Sequence, residues 1–578
     1  MERKLLLIFA LTFLVIIIFQ PLLKKYGPQP PPAKPEISQT APQQNQAQAT
    51  APTGVAPAPQ KTAPPPVVSR QASSETETVI ENSLYRIVFT NRGGQVKSWV
   101  LKKYTDEKGN PLELVNALAS AKYGYPLSLW SYDENLRNKL NSVLYVAAST
   151  GSSAPAEITF EYADGDVAVQ KRCRFDHSYV VEVKTSVQVK GAEVTAFPMW
   201  PSGFGDQSSA STFASSQIAF QYDSKVERLA SSWTVLPSIK VIGGNTIPGP
   251  FHWAAVSDQY FTAAFIPLDP QNAALVTLRS LLEIPHNPSD PSDKRQDKLD
   301  VYGAAVGNLK GATTARLYVG PKALADLESV PVPGITGAEP NLRAIVDFGW
   351  LGYIARPLFL WLKWTYNHIV PNWGWAILLQ TLIINVALLP LRISNMKYMF
   401  RVQKLQPQLK VLQEKYKKYN MRDPRKQEVQ KEMWALQQKE GVNPVTGCLP
   451  MLIQMPFLFA YYRMLGVAID LRHASWLWIH DLSAPDPWHV LPIAIILTMF
   501  IMQRMTPQGG MDPAQQKMMN IMMPGLMGVM FWNLAAGLCL YFSAGNLIGI
   551  AQQLIMNRTA LGREIRELAE KRARKKEK

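Results

Sequence analysis

Three hydrogen-bonding side chains lie in the middle of a run that is apolar enough to be a membrane helix. The run from Trp375 to Arg392 reads WAILLQTLIINVALLPLR, and it carries Gln380, Thr381 and Asn385. An amide without a partner in hydrocarbon costs on the order of several kcal/mol. Amides and hydroxyls exchange hydrogen bonds but do not supply the carboxylates of proton-transfer chemistry. Either neighbouring helices satisfy these groups, or water reaches them.

The polar pattern recurs on other apolar runs. Thr381 and Asn385 are four residues apart and share a helix face, and Arg392 follows seven residues later. Ordinary interhelical hydrogen bonding would explain any single amide, at about 1 kcal/mol or less per bond. Amides on four runs, together with several prolines, favour a hydrated groove that contacts a polar substrate. The candidate groove residues are Gln380, Thr381, Asn385, Arg392, Gln454, Asn533, Ser543 and Asn546.

Six apolar segments position these residues in a polytopic α-helical membrane protein. The first, Leu5 to Leu23, follows the basic start MERK and is not followed by a small-x-small cleavage site, so it predicts an uncleaved anchor and not a signal peptide. The predicted division is an anchor at 1–24, a disordered Pro/Ala/Gln-rich linker at 25–70, a β-sandwich domain at 71–342, an interfacial amphipathic helix at 343–372, a core at 373–557 and a basic tail at 558–578. Within the core, we predict spans at 373–391, 448–468, 488–504, 518–535 and 537–556 and a helical hairpin at 392–447.

The central region has the pattern of antiparallel strands. Stretches such as EITFEYADGDVAVQKRCRFD alternate apolar and polar residues and are broken by Gly-Gly and Asp-Gly turns. The region that follows has aromatic residues beside Lys363 and His368. This composition is typical of a helix in the outer headgroup layer, although a helix packed on the β-domain is the alternative.

The distribution of charge predicts the topology. The formal net charge of the 578 residues is +16. Residues 392–440 hold 13 Lys/Arg against 5 Asp/Glu, a net of +8, and residues 558–578 hold 9 against 4, a net of +5. Basic residues that flank spans mark the cytoplasmic side. Both termini are therefore predicted in the cytoplasm and the β-sandwich domain on the far side, which six spans also require.

The basic hairpin has two possible roles. It is either a solvated loop that fixes the topology or a docking arm for anionic partners, namely ribosomal RNA, lipid headgroups or a targeting complex. The candidate docking residues are Arg401, Lys404, Lys410, Lys415, Lys417 and Lys418.

Other function classes lack their usual residues. The three cysteines have no disulfide or zinc spacing, and we see no nucleophile elbow or phosphate loop, so no metal, cofactor or small-molecule substrate is predicted. A solute transporter would carry inverted repeats and charged midplane residues, which we do not find. The alternative function is an envelope enzyme or a sugar-binding protein that acts through the β-sandwich domain.

Several long strings resemble one family. VDFGWLGYIARPLFLWLKW, NWGWAILLQTLIINVALLPL, VNPVTGCLPMLIQMPFLFAYYRML and GLCLYFSAGNLIGIAQQ are similar to the YidC membrane protein insertases of the bacterial inner membrane, and TNRGGQV and SDQYFTAAFIP extend the similarity into their periplasmic domain. The resemblance implies a five-helix core with a hydrophilic groove open to cytoplasm and lipid. It also implies insertion and folding of nascent membrane proteins, alone or beside the Sec translocon.

One position departs from the family pattern. The family usually has an arginine where this chain has Asn385. Arg392 lies about 10 Å further along a straight helix and could reach back toward the groove.

Overall fold

A computed structural model of the chain describes residues 69–207, 210–222, 225–230, 241–286, 294–333, 341–415, 432, 435–436, 444–505, 513–559 and 563. The predicted anchor at 1–24 lies outside these residues, as do all but two residues of the predicted linker. Much of the predicted hairpin and nearly all of the basic tail lie outside them too.

The first half of the described chain is β-rich. Its strands are β1 Glu77–Glu81, β2 Tyr85–Thr90, β3 Gln95–Thr105, β4 Pro111–Glu113, β5 Leu129–Trp130, β6 Val146–Ser149, β7 Ala156–Asp164, β8 Val167–Phe175, β9 Val180–Val189, β10 Ala192–Glu193, β11 Phe197–Trp200, β12 Gln217–Tyr222, β13 Lys225–Ala230, β14 Thr246–Pro248, β15 Trp253–Ser257, β16 Phe261–Pro267, β17 Ala273–Pro285, β18 Gln296–Asn308 and β19 Thr313–Pro321. They form a four-stranded sheet β1-β2-β3-β4, a five-stranded sheet β14-β17-β18-β11-β5 and a ten-stranded sheet in the order β13-β12-β15-β16-β19-β9-β8-β7-β6, with β10 beside β9. The pairings are antiparallel, and β18 lies against β12, β15, β16 and β19 of the largest sheet.

The sequence pattern explains these strands. Along β8, buried residues alternate strictly with more exposed ones, as expected when one face of a strand meets the core. Gly93 and Gly94 connect β2 to β3 with φ of 66° and 53°, a left-handed conformation that glycine adopts without a steric penalty. The predicted β-rich domain is therefore confirmed.

The second half is helical. The helices are α1 Ala117–Tyr123, α2 Glu134–Ser142, α3 Ala210–Ala214 and α4 Leu324–Glu328 within the β-rich domain, followed by α5 Gly352–His368, α6 Trp373–Ala387, α7 Leu389–Lys415, α8 Pro444–Val467, α9 Val490–Met505, α10 Pro513–Phe531 and α11 Ala536–Arg558. Helix α11 packs on α6, α8 and α9, helix α9 packs on α10, and α5 packs on α6 and α8.

The apolar helices of the described chain differ in length. Only Ala536–Arg558 is long and apolar enough to cross a bilayer by itself. Trp373–Ala387 and Leu389–Asn395 pass the same test together but are bent by 49° at their junction, and Val490–Met505 and Asn520–Phe531 are shorter. The six predicted spans therefore stay a prediction.

Side chains join the β-rich domain to the helical half. Gln259 Nε2 donates to the carbonyl of Gly466 over 3.0 Å, just before α8 ends. The guanidinium of Arg472 lies 5.8 Å from the ring centre of Tyr260 and 5.5 Å from that of Phe261, distances typical of cation–π contacts. The apolar core is continuous across this junction.

Candidate functional site

The bend between α6 and α7 decides where Arg392 lies. Helix α6 ends at Ala387, Leu388 is its C-cap, and α7 begins at Leu389 with a 49° change of direction. Pro390 follows directly, and proline disfavours a helical conformation in the residue before it. Because of this bend, the first residues of α7 point back toward the end of α6, and the Arg392 side chain reaches it.

Arg392 joins two helices through its guanidinium. Its Nη2 donates to Asn385 Oδ1 over 2.8 Å, and its Nη1 donates to Gln552 Oε1 of α11 over 2.7 Å. Gln552 Nε2 donates in turn to the backbone carbonyl of Asn385 over 3.2 Å. We call Asn385, Arg392 and Gln552 the Arg392 cluster. Asn385 is buried, whereas Arg392 and Gln552 are partly exposed.

A glycine on α11 lets the guanidinium approach that helix closely. Gly545, Gly549 and Gln552 lie on one face of α11, at steps of four and three residues. A Cβ atom at Gly549 would lie 2.9 Å from Arg392 Nη1 and 3.0 Å from Met502 Sδ, and one at Gly545 would lie 3.9 Å from Asn385 Nδ2. The absence of a side chain at Gly549 thus makes room for the charge.

Two further predicted residues face α9 instead of α6. Asn546 Nδ2 donates to Thr498 Oγ1 over 3.1 Å. Ser543 Oγ donates to the carbonyl of Leu491 over 3.4 Å. Both residues are buried, so they extend a line of polar side chains along α11.

Gln380 and Thr381 are satisfied within the bundle. Gln380 is fully buried, its Nε2 donates to the carbonyl of Leu358 in α5 over 3.0 Å, and its Oε1 accepts a hydrogen bond from the Tyr461 hydroxyl of α8. Thr381 Oγ1 donates to the carbonyl of Ile377 in its own helix over 2.6 Å. Gln380 therefore connects three helices, which is the ordinary interhelical alternative considered from the sequence.

Of the other predicted groove residues, Asn533 has no hydrogen bond to the Arg392 cluster in the described part of the chain. Asn533 is exposed in the turn between α10 and α11, and Gln454 lies on α8 with its side chain outside the described residues. Of the predicted docking residues, Arg401 is exposed on α7. Lys404, Lys410 and Lys415 lie on the same helix, with side chains outside the description, and Lys417 and Lys418 fall wholly outside it.

Gln552 and Thr498 are the polar contacts that sequence reasoning missed. The steps of three and four residues through Ser543 and Asn546 continue to Gln553, one residue further. In the structure Gln553 Nε2 donates to Asn557 Oδ1 over 3.0 Å. The spacing of Gly545 and Gly549 ahead of Gln552 was the signal that could have found the contact.

The cluster can bind polar groups without performing proton-transfer chemistry. Its members are two amides and one guanidinium, with hydroxyls along the adjoining helices. Among the described residues, no group of three or more His, Cys, Asp or Glu side chains could hold a metal ion. The arrangement offers hydrogen-bond donors, acceptors and one positive charge at the end of several apolar helices.

Comparisons with known proteins cover almost the whole chain. Residues 77–361 match the family described as YidC periplasmic domain, and residues 364–563 match the 60Kd inner membrane protein family. A protein named membrane protein insertase YidC, from Syntrophus aciditrophicus (strain SB), is 32% identical over 581 residues, which are 97% of this chain and 100% of the relative.

Solved structures show weaker likenesses. A crystal structure of an active YidC insertase with its first transmembrane domain resolved is 19% identical, has a TM-score of 0.35 and covers 86% of this chain and 95% of its own. A galactose mutarotase-like protein from Lactobacillus casei ATCC 334 is 9% identical, with a TM-score of 0.25, and covers 43% of this chain and 100% of its own. The whole-length relative is named as an insertase and not as an enzyme.

Proposed function

The chain belongs to the YidC family of membrane protein insertases, and we propose that the Arg392 cluster lines a hydrophilic groove that receives polar segments of nascent membrane proteins. The observation that carries this proposal is the partly exposed guanidinium of Arg392, held at the end of the apolar helices by Asn385 and Gln552. A positive charge in such a place is costly unless polar groups or water surround it.

The physical chemistry of insertion fits such a groove. A polar terminus that crosses about 30 Å of hydrocarbon loses its hydration over the whole distance. Polar side chains and water along part of the path shorten the dry distance. Burial of about 20 apolar client residues in lipid then supplies the driving force without an energy source in the protein.

The proposed groove includes the polar line on α11. Ser543 and Asn546 support it because they continue from the cluster toward α9, and Gln454 and Asn533 are proposed as further contacts on the strength of the sequence pattern. Gln380 and Thr381 are proposed to border the groove, and their satisfied hydrogen bonds support a second role in holding the helices together.

The proposed topology has six spans with both termini in the cytoplasm and the β-rich domain in the periplasm. The charge distribution supports it, as do the names of the two matching families. We propose that the domains have the bounds predicted from the sequence. In this proposed topology, α5 lies at the outer membrane surface.

The proposed partners follow from this topology. We propose that the chain works alone and beside the Sec translocon. Residues Arg401, Lys404, Lys410, Lys415, Lys417 and Lys418 would attract ribosomes, a targeting complex or anionic lipid headgroups through their charge.

Site-specific crosslinking to a stalled nascent chain tests the groove. A photoreactive amino acid at Asn385, Asn546 or Gln552 is expected to crosslink the polar segment of the client. The matched control is Val529 of α10, whose side chain is 75% exposed on the outside of the described bundle, and it should crosslink lipid instead. Equal client crosslinking from Val529 and Asn385 would contradict a groove.

Accessibility of an introduced cysteine tests whether the site is wet. Cysteine at position 552 should react with a lipid-impermeant thiol reagent added from the cytoplasmic side and not from the periplasmic side. No labelling from the cytoplasmic side would contradict hydration of the cluster, whatever the crosslinking result.

A further inference from the structure

A pocket of about 580 Å³ lies where the β-rich domain meets α5, and no residue of the Arg392 cluster lines it. Its walls come from β13, from the segment before α5 and from the first turns of α5. Three arginines line it, Arg228, Arg343 and Arg356, together with the single carboxylate of Asp347. We call it the arginine pocket.

The carboxylate in the pocket is already matched by positive charge. Asp347 Oδ2 accepts a hydrogen bond from Arg463 Nη2 of α8 over 3.0 Å and lies 3.9 Å from Arg228 Nε. Arg228 Nη2 also donates to the carbonyl of Ala344 over 2.7 Å, which fixes its direction. The lining therefore keeps a net positive charge, even though Arg343 pairs with Glu328 over 2.9 Å at the rim.

The pocket is continuous with an exposed apolar stripe on α5. This helix packs on α6 and α8, and one of its faces is buried and carries Ala355, Leu358, Phe359 and Leu362. The opposite face carries Tyr353, Pro357, Leu360 and Trp364 at steps of four and three residues, and Tyr353, Leu360 and Trp364 are 70%, 47% and 51% exposed. Tyr353, Pro357 and Leu360 also line the pocket.

A ligand that fits both features carries an anionic group beside an apolar chain. Guanidinium groups bind phosphate through paired hydrogen bonds. Large exposed apolar surface is unusual on a protein unless lipid or another protein covers it, and Tyr and Trp are the residues that favour the membrane interface.

We propose that the arginine pocket binds the phosphate headgroup of an anionic phospholipid in the outer leaflet, whose acyl chains lie along the apolar stripe of α5. The inference rests on the proposed placement of α5 at the outer membrane surface. Through Arg228 on the β-rich domain and Arg356 on α5, the bound headgroup would hold the domain close to the bilayer.

The test uses the full-length protein in phosphatidylcholine nanodiscs. Phosphatidylglycerol with a diazirine in its acyl chain is the probe, and phosphatidylcholine with the same chain is the zwitterionic comparison at equal mole fraction. After irradiation, mass spectrometry should find the phosphatidylglycerol label on α5 several times more often than the phosphatidylcholine label. Equal labelling by the two lipids would overturn the proposal.

Variants assign the effect to the pocket. Arg356→Gln should lower phosphatidylglycerol labelling of α5 about fivefold, the effect of one basic residue at an anionic surface, while Arg356→Lys should keep most of it. Arg174→Gln is the matched control because Arg174 is an exposed arginine on β8 that does not line the pocket. Unchanged labelling in Arg356→Gln would contradict the proposal.

Two further measurements separate the sources of binding. Excess soluble glycerol phosphate should reduce the phosphatidylglycerol label only partly, because it competes for the guanidinium groups but lacks the acyl chains that contact α5. Complete removal of the label by glycerol phosphate at a concentration equal to that of the lipid would show that the pocket binds a free anion and would overturn the lipid proposal. If an acidic protein partner protects the pocket from both lipids, the occupant is a protein. Client insertion measured in the same nanodiscs reports on the proposed function separately, so intact insertion with lipid-independent labelling would overturn only this inference.

Discussion

Arg392 Nη2 donates to Asn385 Oδ1 over 2.8 Å, although the two residues are seven apart and lie on either side of a 49° bend. In a straight helix their Cα atoms would be separated by about 10 Å along the axis. The bend therefore returns a positive charge to the neighbourhood of Asn385. The resemblance to the YidC family predicts an arginine at this position, and we infer that Arg392 supplies its charge from the next helix.

The first prediction concerns the charge itself. Arg392→Gln should reduce insertion of a client with an acidic translocated tail about fivefold. This corresponds to about 1 kcal/mol, the attraction of two unit charges about 4 Å apart in water. A client with a neutral tail of equal length should be inserted almost normally. An in vitro insertion assay with both clients gives the comparison, and an equal loss for the two tails would contradict an electrostatic role.

The second prediction concerns the space that the charge occupies. A Cβ at Gly549 would lie 2.9 Å from Arg392 Nη1, so Gly549→Ala should push the guanidinium tip away from Asn385 and Gln552. Insertion of the acidic-tailed client should fall as it does in Arg392→Gln. Gly545→Ala is the matched control because its Cβ would have only an ordinary contact at 3.9 Å. Identical behaviour of the two alanine variants would count against this geometry.

The third prediction separates stability from function. Gln380→Leu removes the hydrogen bonds to the Leu358 carbonyl and the Tyr461 hydroxyl, and it should lower the free energy of unfolding by about 1–2 kcal/mol. Tyr461→Phe, which removes only one bond, should cause about half of this loss. Thermal unfolding in detergent measures both. Insertion per folded molecule should stay close to the wild-type level because the Gln380 amide at the border of the groove already has partners on α5 and α8. A large loss of insertion without a loss of stability would show that this amide contacts the client directly.

The sequence identified features that depend on local pattern. Alternation predicted strands such as β8, the Gly93-Gly94 pair predicted the β2–β3 turn, and amides in apolar runs pointed to polar contacts between helices. These features depend on periodicities and backbone preferences that a short segment already contains. The contacts between residues far apart in the sequence were harder to predict.

Which amide meets which partner depends on packing that no segment contains. Gln380 and Asn385 are five residues apart in one apolar run, yet the first bonds to α5 and α8 and the second to α7. Gln552, and not Gln553, faces Arg392 because the two glycines of α11 set the side that approaches α6. In the arginine pocket Arg228 lies beside Asp347, which pairs with Arg463 of α8. Each of these pairs joins residues more than a hundred positions apart, so no spacing rule could have found the pocket.

The fourth prediction concerns a buried lysine of the β-rich domain. Lys171 Nζ donates to the carbonyls of Gly93, Gly94 and Leu127 over 2.9, 2.8 and 2.6 Å, and burial lowers the pKa of Lys171 to about 7. Lys171→Met leaves these carbonyls without their donor and should destabilise the domain by about 3 kcal/mol. Lys298→Met is the control on the exposed surface, with an expected change within about 0.5 kcal/mol. The measurement is urea unfolding of the full chain, in which the resistance of the domain to proteolysis reports the fraction that is folded.

The last prediction concerns two neighbouring carboxyl groups at the junction with the helical half. Burial and the adjacent Asp258 carboxylate raise the pKa of Asp206 well above its ordinary value of 3.8, although Arg472 opposes the shift. Within the described chain, Asp206 Oδ1 and Asp258 Oδ2 have no donor, while Asp258 Oδ1 accepts the backbone N–H groups of Tyr260 and Phe261. A proton on Asp206, donated to Asp258, would satisfy both free oxygens.

This pair of carboxyl groups determines whether the contribution of Asp206 to the stability of the domain rises or falls with pH. The folded domain keeps the proton of Asp206 at pH values where the unfolded chain has released it, so folding takes up a proton. The contribution of Asp206 to stability is therefore fully present below pH 3.8 and is lost as the pH rises above 3.8 and through the raised pKa of Asp206. Asp206→Asn replaces the protonated carboxyl with an amide that donates to Asp258 at every pH. The melting temperature of the domain should therefore fall less with pH in Asp206→Asn than in the wild type between about pH 4 and pH 7, whereas the exposed Asp166→Asn should follow the wild type. Parallel curves for all three proteins would show that the two carboxyl groups do not share a proton.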